Sequence, residues 1–400
     1  MDNPFKIISI FSLAAFAIGL SEFIVIGIIG FLLTEFNITL SQAGLLISLY
    51  ALGISLGAPT VTYLTRQLNS KTLCIALLLF FAFLNLSSIF TQSFTLLLIL
   101  RACSGVIHGT FFSIASAEVP SLVGTKKAAM AIALMFSGLT IAMVIGVPLC
   151  MYLVSLTSWI FPFVVISILS VLCSLLMLSY LPKNFGITTQ ASTSSSSNKV
   201  KTSDVKILGL YAITFFGFGG GFYFYSYIEP WLSKIVHISL YQIGFTLGII
   251  GFGSLLGNIL GGLLPQKLQI RNALSLLIIV QVICLALLSW TTHLISIQFI
   301  LLFWSISTFS LAPMVQALAV TYSSNLSARI SASFNVAAFN LGISFSSYIS
   351  TLSIQHYGLE KLPLGGTFLV LCALPLVLLV FKYPEKNIQL NRNDINNRSI

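Results

Sequence analysis

Ile38-Thr39-Leu40-Ser41-Gln42-Ala43-Gly44 returns, at an offset of 200 residues, as Ile238-Ser239-Leu240-Tyr241-Gln242-Ile243-Gly244. Ile, Leu, Gln and Gly keep their places in both copies. The same offset carries Gly53 and Gly57 onto Gly253 and Gly257, Leu68 onto Leu268, and Lys71 onto the equally basic Arg271. The match takes in one apolar run with its entry and its exit loop, so it reads as a duplicated unit. Those two runs, 43–64 and 241–264, are each long enough to cross a membrane, which takes about 20 mainly apolar residues.

Working outward on that criterion, with Gly and Pro allowed inside spans, gives twelve spans. They are residues 7–33, 43–64, 72–90, 94–117, 128–153, 159–181, 207–229, 241–264, 273–291, 294–322, 330–353 and 364–382. Turn signals such as Asn69-Ser70-Lys71, Gly124-Thr125-Lys126-Lys127 and Asn325-Leu326-Ser327 separate them. One connection differs, because Gln190-Ala191-Ser192-Thr193-Ser194-Ser195-Ser196-Ser197-Asn198 is too polar to pack and reads as a linker. The expected organisation is a six-helix bundle over 1–181, a linker over 182–206, a second bundle over 207–382 and a tail over 383–400. Six spans per half is an even number, so both copies enter the membrane in the same sense. The fold class is an all-α membrane protein of twelve transmembrane helices in two parallel six-helix repeats.

Composition agrees. Of the 400 residues 57% are apolar and 7% charged, against roughly a quarter charged in an average soluble chain. So few charges cannot coat a soluble body of this size. The net charge of +10 does not imply nucleic acid, because the basic residues sit singly or in pairs between apolar runs and form no stripe. They do orient the chain. Sixteen of the nineteen, among them Lys6, Arg66, Lys71, Lys126, Lys127, Lys183, Lys267, Arg271 and Arg329, fall on the side of the termini. Only Lys234 and Lys361 fall on the other side, and Arg101 lies within a span. Both termini are therefore expected in the cytoplasm. The first run is too long for the h-region of a cleaved signal peptide. The six cysteines lie inside apolar runs without metal-ligand spacing, so packing roles are expected and no metal.

The motifs resemble the major facilitator superfamily, and within it the drug:proton antiporter branch that includes sugar and arabinose efflux permeases. The stretches that carry the likeness are Ser21-Glu22-Phe23, Tyr50-Ala51-Leu52-Gly53 to Gly57-Ala58-Pro59, and Arg101 through Gly105 to His108-Gly109-Thr110-Phe111-Phe112. With them go Met135-Phe136-Ser137-Gly138 to Gly146-Val147-Pro148, Glu229-Pro230-Trp231, and Gly257-Asn258 to Gly261-Gly262. The sequence departs from the family pattern at Arg66 to Lys71 and at Gln266-Lys267, where an expected acid is missing, and at Leu149-Cys150, where glycines are common. The resemblance implies a bacterial inner-membrane transporter, monomeric and without cofactor, that moves a small organic solute against protons. It also implies that spans 1, 4, 7 and 10 line a central cavity.

Charge inside lipid is costly and marks functional candidates. Glu22 lies about 15 residues, roughly 23 Å, into span 1, near the midplane. Arg101 lies about seven residues inside span 4, and His108 two turns deeper on the same face. Glu22 is the expected proton-coupling carboxylate, with Arg101 and His108 beside it. Burial favours its acid form and a nearby cation its charged form, so changing surroundings would load and release a proton. The alternative is a permanent Glu22–Arg101 ion pair that only joins two helices, and for His108 a hydrogen-bonded interior histidine. Glu118 is expected to pair at the membrane interface, and Glu35 and Glu229 to be solvated end charges.

Phe23, Phe112, Tyr223, Tyr227, Trp304, Gln316, Asn335 and Asn340 are expected around the substrate, or as interhelical contacts. Tyr223, Tyr225 and Tyr227 cannot share one face of a regular helix, so some are expected in an interfacial aromatic belt. Gly53, Gly57, Gly105, Gly138, Gly253 and Gly257 are assigned to close helix packing, and Arg66, Lys71, Lys267 and Arg271 to the conformational loops. Gly146 and Pro148 are expected to bend span 5. No Walker motif is present to use ATP. An exporter is the first reading, with an uptake symporter or a transport-less receptor as rivals and an intramembrane enzyme disfavoured for want of a second acid.

Overall fold

A computed structural model describes residues 4–123, 128–183, 185, 204–322 and 328–381. The polar stretch 190–198, the tail 383–400 and the turns at 124–127 and 325–327 lie outside the described residues. The first half contains α1 (Pro4–Gly27), α2 (Ile29–Glu35), α3 (Leu40–Leu64), α4 (Ser70–Ile89), α5 (Phe94–Glu118), α6 (Ala128–Ile141), α7 (Val147–Leu156) and α8 (Phe161–Tyr180). The second contains α9 (Asp204–Gly217), α10 (Phe222–Tyr225), α11 (Ile228–Lys234), α12 (Leu240–Lys267), α13 (Ile270–Leu288), α14 (Leu294–Tyr322), α15 (Ala328–Tyr357), α16 (Leu362–Leu371) and α17 (Ala373–Val380). Spans 1, 5, 7 and 12 are built from two or more of these helices.

Among the described residues eleven spans are long and apolar enough to cross a membrane. The remaining one, α15, is 30 residues long, about 45 Å at 1.5 Å per residue. Its apolar content is diluted by Ser331, Asn335, Ser346, Ser347, Ser350 and Thr351, all buried. Those polar groups face protein and not lipid, where they would go unsatisfied. The lipid-facing surface is instead apolar, with Phe83, Phe90, Leu175, Phe299 and Leu379 exposed.

The duplication is visible atom by atom. Thr39 and Ser239 each open a helix with a reciprocal cap, their backbone amides donating to Gln42 Oε1 and Gln242 Oε1 at 2.8 and 3.0 Å. Asn37 and His237 just before them hold left-handed φ values of 49° and 59°, a conformation these residue types tolerate better than most. Thr110 Oγ1 donates to the Gly57 carbonyl at 3.3 Å, and Ser310 Oγ to the Gly257 carbonyl at 3.0 Å. Span 1 is interrupted at Ile28 and span 7 at Tyr227, so both copies carry a broken first helix.

Within each half the small-residue faces do what their spacing implies. Gly53 and Gly57 of α3 lie against Ala102 and Val106 of α5, and Gly253 and Gly257 of α12 against Leu302, Ser305 and Ile306 of α14. Gly105 returns the contact to Tyr50, and Gly138 meets Ser12 of α1. Span 5 bends at a π-turn, Ala142–Gly146, immediately before Pro148, with the Val147 amide donating to the Ala142 carbonyl. Pro148 cannot donate, and the turn absorbs the defect. Lys71 Nζ donates to the Leu178 and Leu181 carbonyls at 2.7 and 2.6 Å, which fastens the α3–α4 loop to the end of α8. Arg66 stacks on Tyr63, 4.2 Å from the ring centroid, while Lys267 and Arg271 are exposed.

Two seams join the halves. Along one, α3 meets α15 through Ser41 Oγ to the Thr351 carbonyl (3.4 Å), Ser347 Oγ to the Gly44 carbonyl (3.4 Å) and Ser55 Oγ to the Ala337 carbonyl (3.1 Å). Along the other, α12 packs on the π-turn of span 5, with Gly251 against Met143 and Val144.

Candidate functional site

Three charged or titratable side chains from α1 and α5 meet inside the first half. Arg101 is 2% exposed. Its Nη1 donates to the Ser21 carbonyl at 2.8 Å and to Ser21 Oγ at 3.1 Å. Its guanidinium lies 3.9 Å above the centroid of the Tyr50 ring, a cation–π contact strengthened by the loss of water. Tyr50 Oη in turn bonds His108 Nδ1 at 3.0 Å. Ser21 Oγ donates to Asn85 Oδ1 at 3.2 Å, and Asn85 Nδ2 to the Phe81 carbonyl at 2.8 Å. The chain Asn85–Ser21–Arg101–Tyr50–His108 therefore crosses α4, α1, α5 and α3. His108 sits against Phe112, which stacks on Phe136, with centroid separations of 4.9 and 5.2 Å.

Glu22 is placed differently. No ion pair joins it to Arg101 among the described residues, since the guanidinium is engaged by Ser21 and Tyr50. The permanent-pair alternative does not describe this structure. Glu22 is half-buried between the buried Ser21 and Phe23. It lies in coulombic range of Arg101, Tyr50 and, in the other half, Tyr225. The carboxyl is thus within electrostatic reach of both halves, while the Arg101 guanidinium is held by the neighbouring Ser21.

In the second half, Trp304 and Tyr225 pack together with ring centroids 5.5 Å apart. Gly221 lets the indole in, as a Cβ there would stand 3.1 Å from Trp304 Cζ2. Trp304 is fully buried, and its Nε1 has no hydrogen-bond partner among the described residues. Gln316, Asn335 and Asn340 are not brought into the cluster. Thr214 Oγ1 donates to Asn335 Oδ1 (3.1 Å) and Asn335 Nδ2 to Gln316 Oε1 (2.5 Å), tying spans 7, 11 and 10 together. Asn340 Nδ2 donates to the Val336 carbonyl of its own helix at 3.0 Å.

The tyrosines of span 7 correct the expected aromatic belt. Tyr223, Tyr225 and Tyr227 are all buried, because the helix is not regular. A 3₁₀ turn at Gly219–Gly221 and the interruption after Tyr225 re-aim successive residues. Tyr223 packs on Gly365, Tyr225 on Trp304, and Tyr227 bonds Thr351 Oγ1 at 2.5 Å beside Gly44. The carboxylates are also corrected in part. Glu35 is exposed as expected and Glu118 is partnered, its Oε1 accepting from Ser70 Oγ at 3.0 Å, but Glu229, expected to be solvated, is 7% exposed. It is covered by a neighbouring helix that linear hydropathy cannot place. Sequence reading assigns Asn85 no role, and Tyr50 only a place in a family stretch. Asn85, a lone amide inside an apolar run, was the one signal available.

Removing the Tyr50 hydroxyl tests how far this chain stabilises the fold. Tyr50→Phe keeps the ring under Arg101 but leaves His108 Nδ1 unpaired. The expected cost is about 1–3 kcal/mol, read as a lower thermal midpoint in detergent.

A duplicated twelve-span bundle that buries Arg101 and His108 inside its spans defines a multi-pass membrane transporter. The chain belongs to the Major Facilitator Superfamily, whose model matches residues 11–347. It is 31% identical to the uncharacterized MFS-type transporter YtbD of Bacillus subtilis (strain 168) over 90% of this chain and 91% of that one. It is 28% identical to a probable sugar efflux transporter of Helicobacter acinonychis (strain Sheeba), over 91% and 92%. Among solved structures it is similar to a bacterial homologue of the human lysosomal transporter Spinster, in an inward-facing and occupied conformation. The TM-score is 0.73 at 13% identity, covering 96% of this chain and 98% of that one, and the likeness is one of fold.

Proposed function

We propose that this transporter exports a small, neutral or weakly polar organic solute, a sugar-like metabolite or an amphiphilic drug, in exchange for protons. Glu22 is the proton carrier, and the halves rock about it so that it is wetted from alternate sides. Arg101 supplies a fixed positive potential, held by Ser21 and Tyr50 so that it does not quench the carboxyl. Phe23, Phe112, Tyr225 and Trp304 provide apolar surface and one indole donor for the solute. The observation that carries this reading is a half-buried carboxyl inside the first span that makes no ion pair among the described residues. The efflux name of a relative aligned along nearly the whole chain supports the direction. The loop charges support termini in the cytoplasm.

Inside-out vesicles test it with labelled pentoses, hexoses and a fluorescent amphiphile. Acidifying the vesicle interior should drive at least one of them inward, because protons leave as solute enters. A proton symporter would drain the solute from the same vesicles, and a protein that is no transporter would show no flux beyond empty vesicles.

A further inference from the structure

Glu229 lies outside the cluster around Glu22, at the end of the bundle opposite the termini. It stands in α11, just past the interruption of span 7, and reaches across to α2, just past the interruption of span 1. Its carboxyl lies on the Gly30 backbone, so close that a Cβ on Gly30 would stand 3.2 Å from Oε1 and 3.7 Å from Oε2. The Gly30 amide is directed at it. Oε2 is buried with no hydrogen-bond partner among the described residues. Tyr227, Ile228, Trp231 and Leu232 around it are buried. Lys234 of the same helix is in coulombic range but exposed. On the elements packed against α11, the charged and titratable groups at this end are Glu35, Tyr241, Glu360 and Lys361, all exposed. None of them makes an ion pair with Glu229 among the described residues.

An unpaired carboxylate is disfavoured in such surroundings, whereas the neutral acid is tolerated. The same end is closed alongside by Ser41 on the Thr351 carbonyl and by Gly44 against the Tyr227 and Thr351 hydroxyls. We infer that Glu229 is a proton-binding latch: protonated, it seats on the Gly30 backbone and holds the opposite-terminus end of the two halves shut, and on losing its proton to water at that end it leaves the seat and the end opens. The inference rests on the alternating-access reading above and adds a second proton site, distinct from Glu22, that senses the medium on one side only.

Hydrogen–deuterium exchange of the full-length protein in lipid nanodiscs, without solute, tests it. Exchange is followed in peptides covering 28–35 and 228–234 at acidic and alkaline pH, after correction for the intrinsic pH dependence. The wild type should be protected more at acidic pH, by up to about tenfold per pH unit, the limit for one proton. Glu229→Gln should be protected equally at both, and Gly30→Val, whose branched side chain occupies the seat, should lose the extra protection at acidic pH. A Glu229→Gln or a Gly30→Val protein with the wild-type pH response overturns the latch. Neither outcome touches the flux assay, so failure here and failure of the export reading are separable.

Discussion

Glu22→Gln is expected to abolish proton-driven flux while leaving the protein folded. Gln is nearly isosteric and neutral, and the carboxyl it replaces has no ion-pair partner in Arg101 to orphan. At one proton per neutral solute, a membrane potential of 100 mV contributes about 2.3 kcal/mol, enough for a solute gradient of roughly 40-fold. The variant should bring labelled solute only to equal concentrations on both sides, whatever the imposed proton gradient, with unchanged melting in detergent. Wild-type accumulation by Glu22→Gln would remove the central role given to this residue. The same substitution in a scaffold or receptor would change nothing.

Gly57→Val is expected to prevent assembly of the first half. A Cβ on Gly57 would lie 2.6 Å from Val106 Cα and 2.7 Å from the Val106 carbonyl oxygen, so the obstacle is backbone, which no rotamer change relieves. Overpacking usually costs about 1–3 kcal/mol. Here two helices must separate, losing the Thr110–Gly57 bond as well, and the cost should reach or exceed that range. The repeat makes the prediction double, because Gly257→Val meets the Ile306 carbonyl and the Ser310 amide of α14 in the same way. Size-exclusion profiles of detergent extracts should show aggregate in place of a single peak for both. Gly262→Ala is the control, since its Cβ meets no atom within 4 Å.

Much of this could be read along the chain. A helix that must satisfy its backbone inside lipid advertises itself by twenty apolar residues, and a duplicated gene by equal spacing of Gln, Gly and cap residues. Glu22, Arg101 and His108 were legible for the same reason, as each is too costly in lipid to be incidental. Legibility failed where the helices were irregular. The tyrosines of span 7 were assigned faces on a straight helix, and the 3₁₀ turn and the interruption at Tyr227 turned all three inward. For Gln316 and Asn335 the sequence leaves solute contact and interhelical contact open, and in the structure they are joined to each other and to Thr214.

The amino-acid order alone determined the number of spans, their parallel duplication and the few charges buried among them, because transfer into lipid is a local property summed over each helix. Only the tertiary structure decided whom those charges face. Arg101 stacks on Tyr50 and donates to Ser21, Glu22 makes no ion pair among the described residues, and Glu229 is buried against Gly30 of the other half. Those outcomes depend on distances between helices far apart in the chain, and such distances are set by packing, which no single helix encodes.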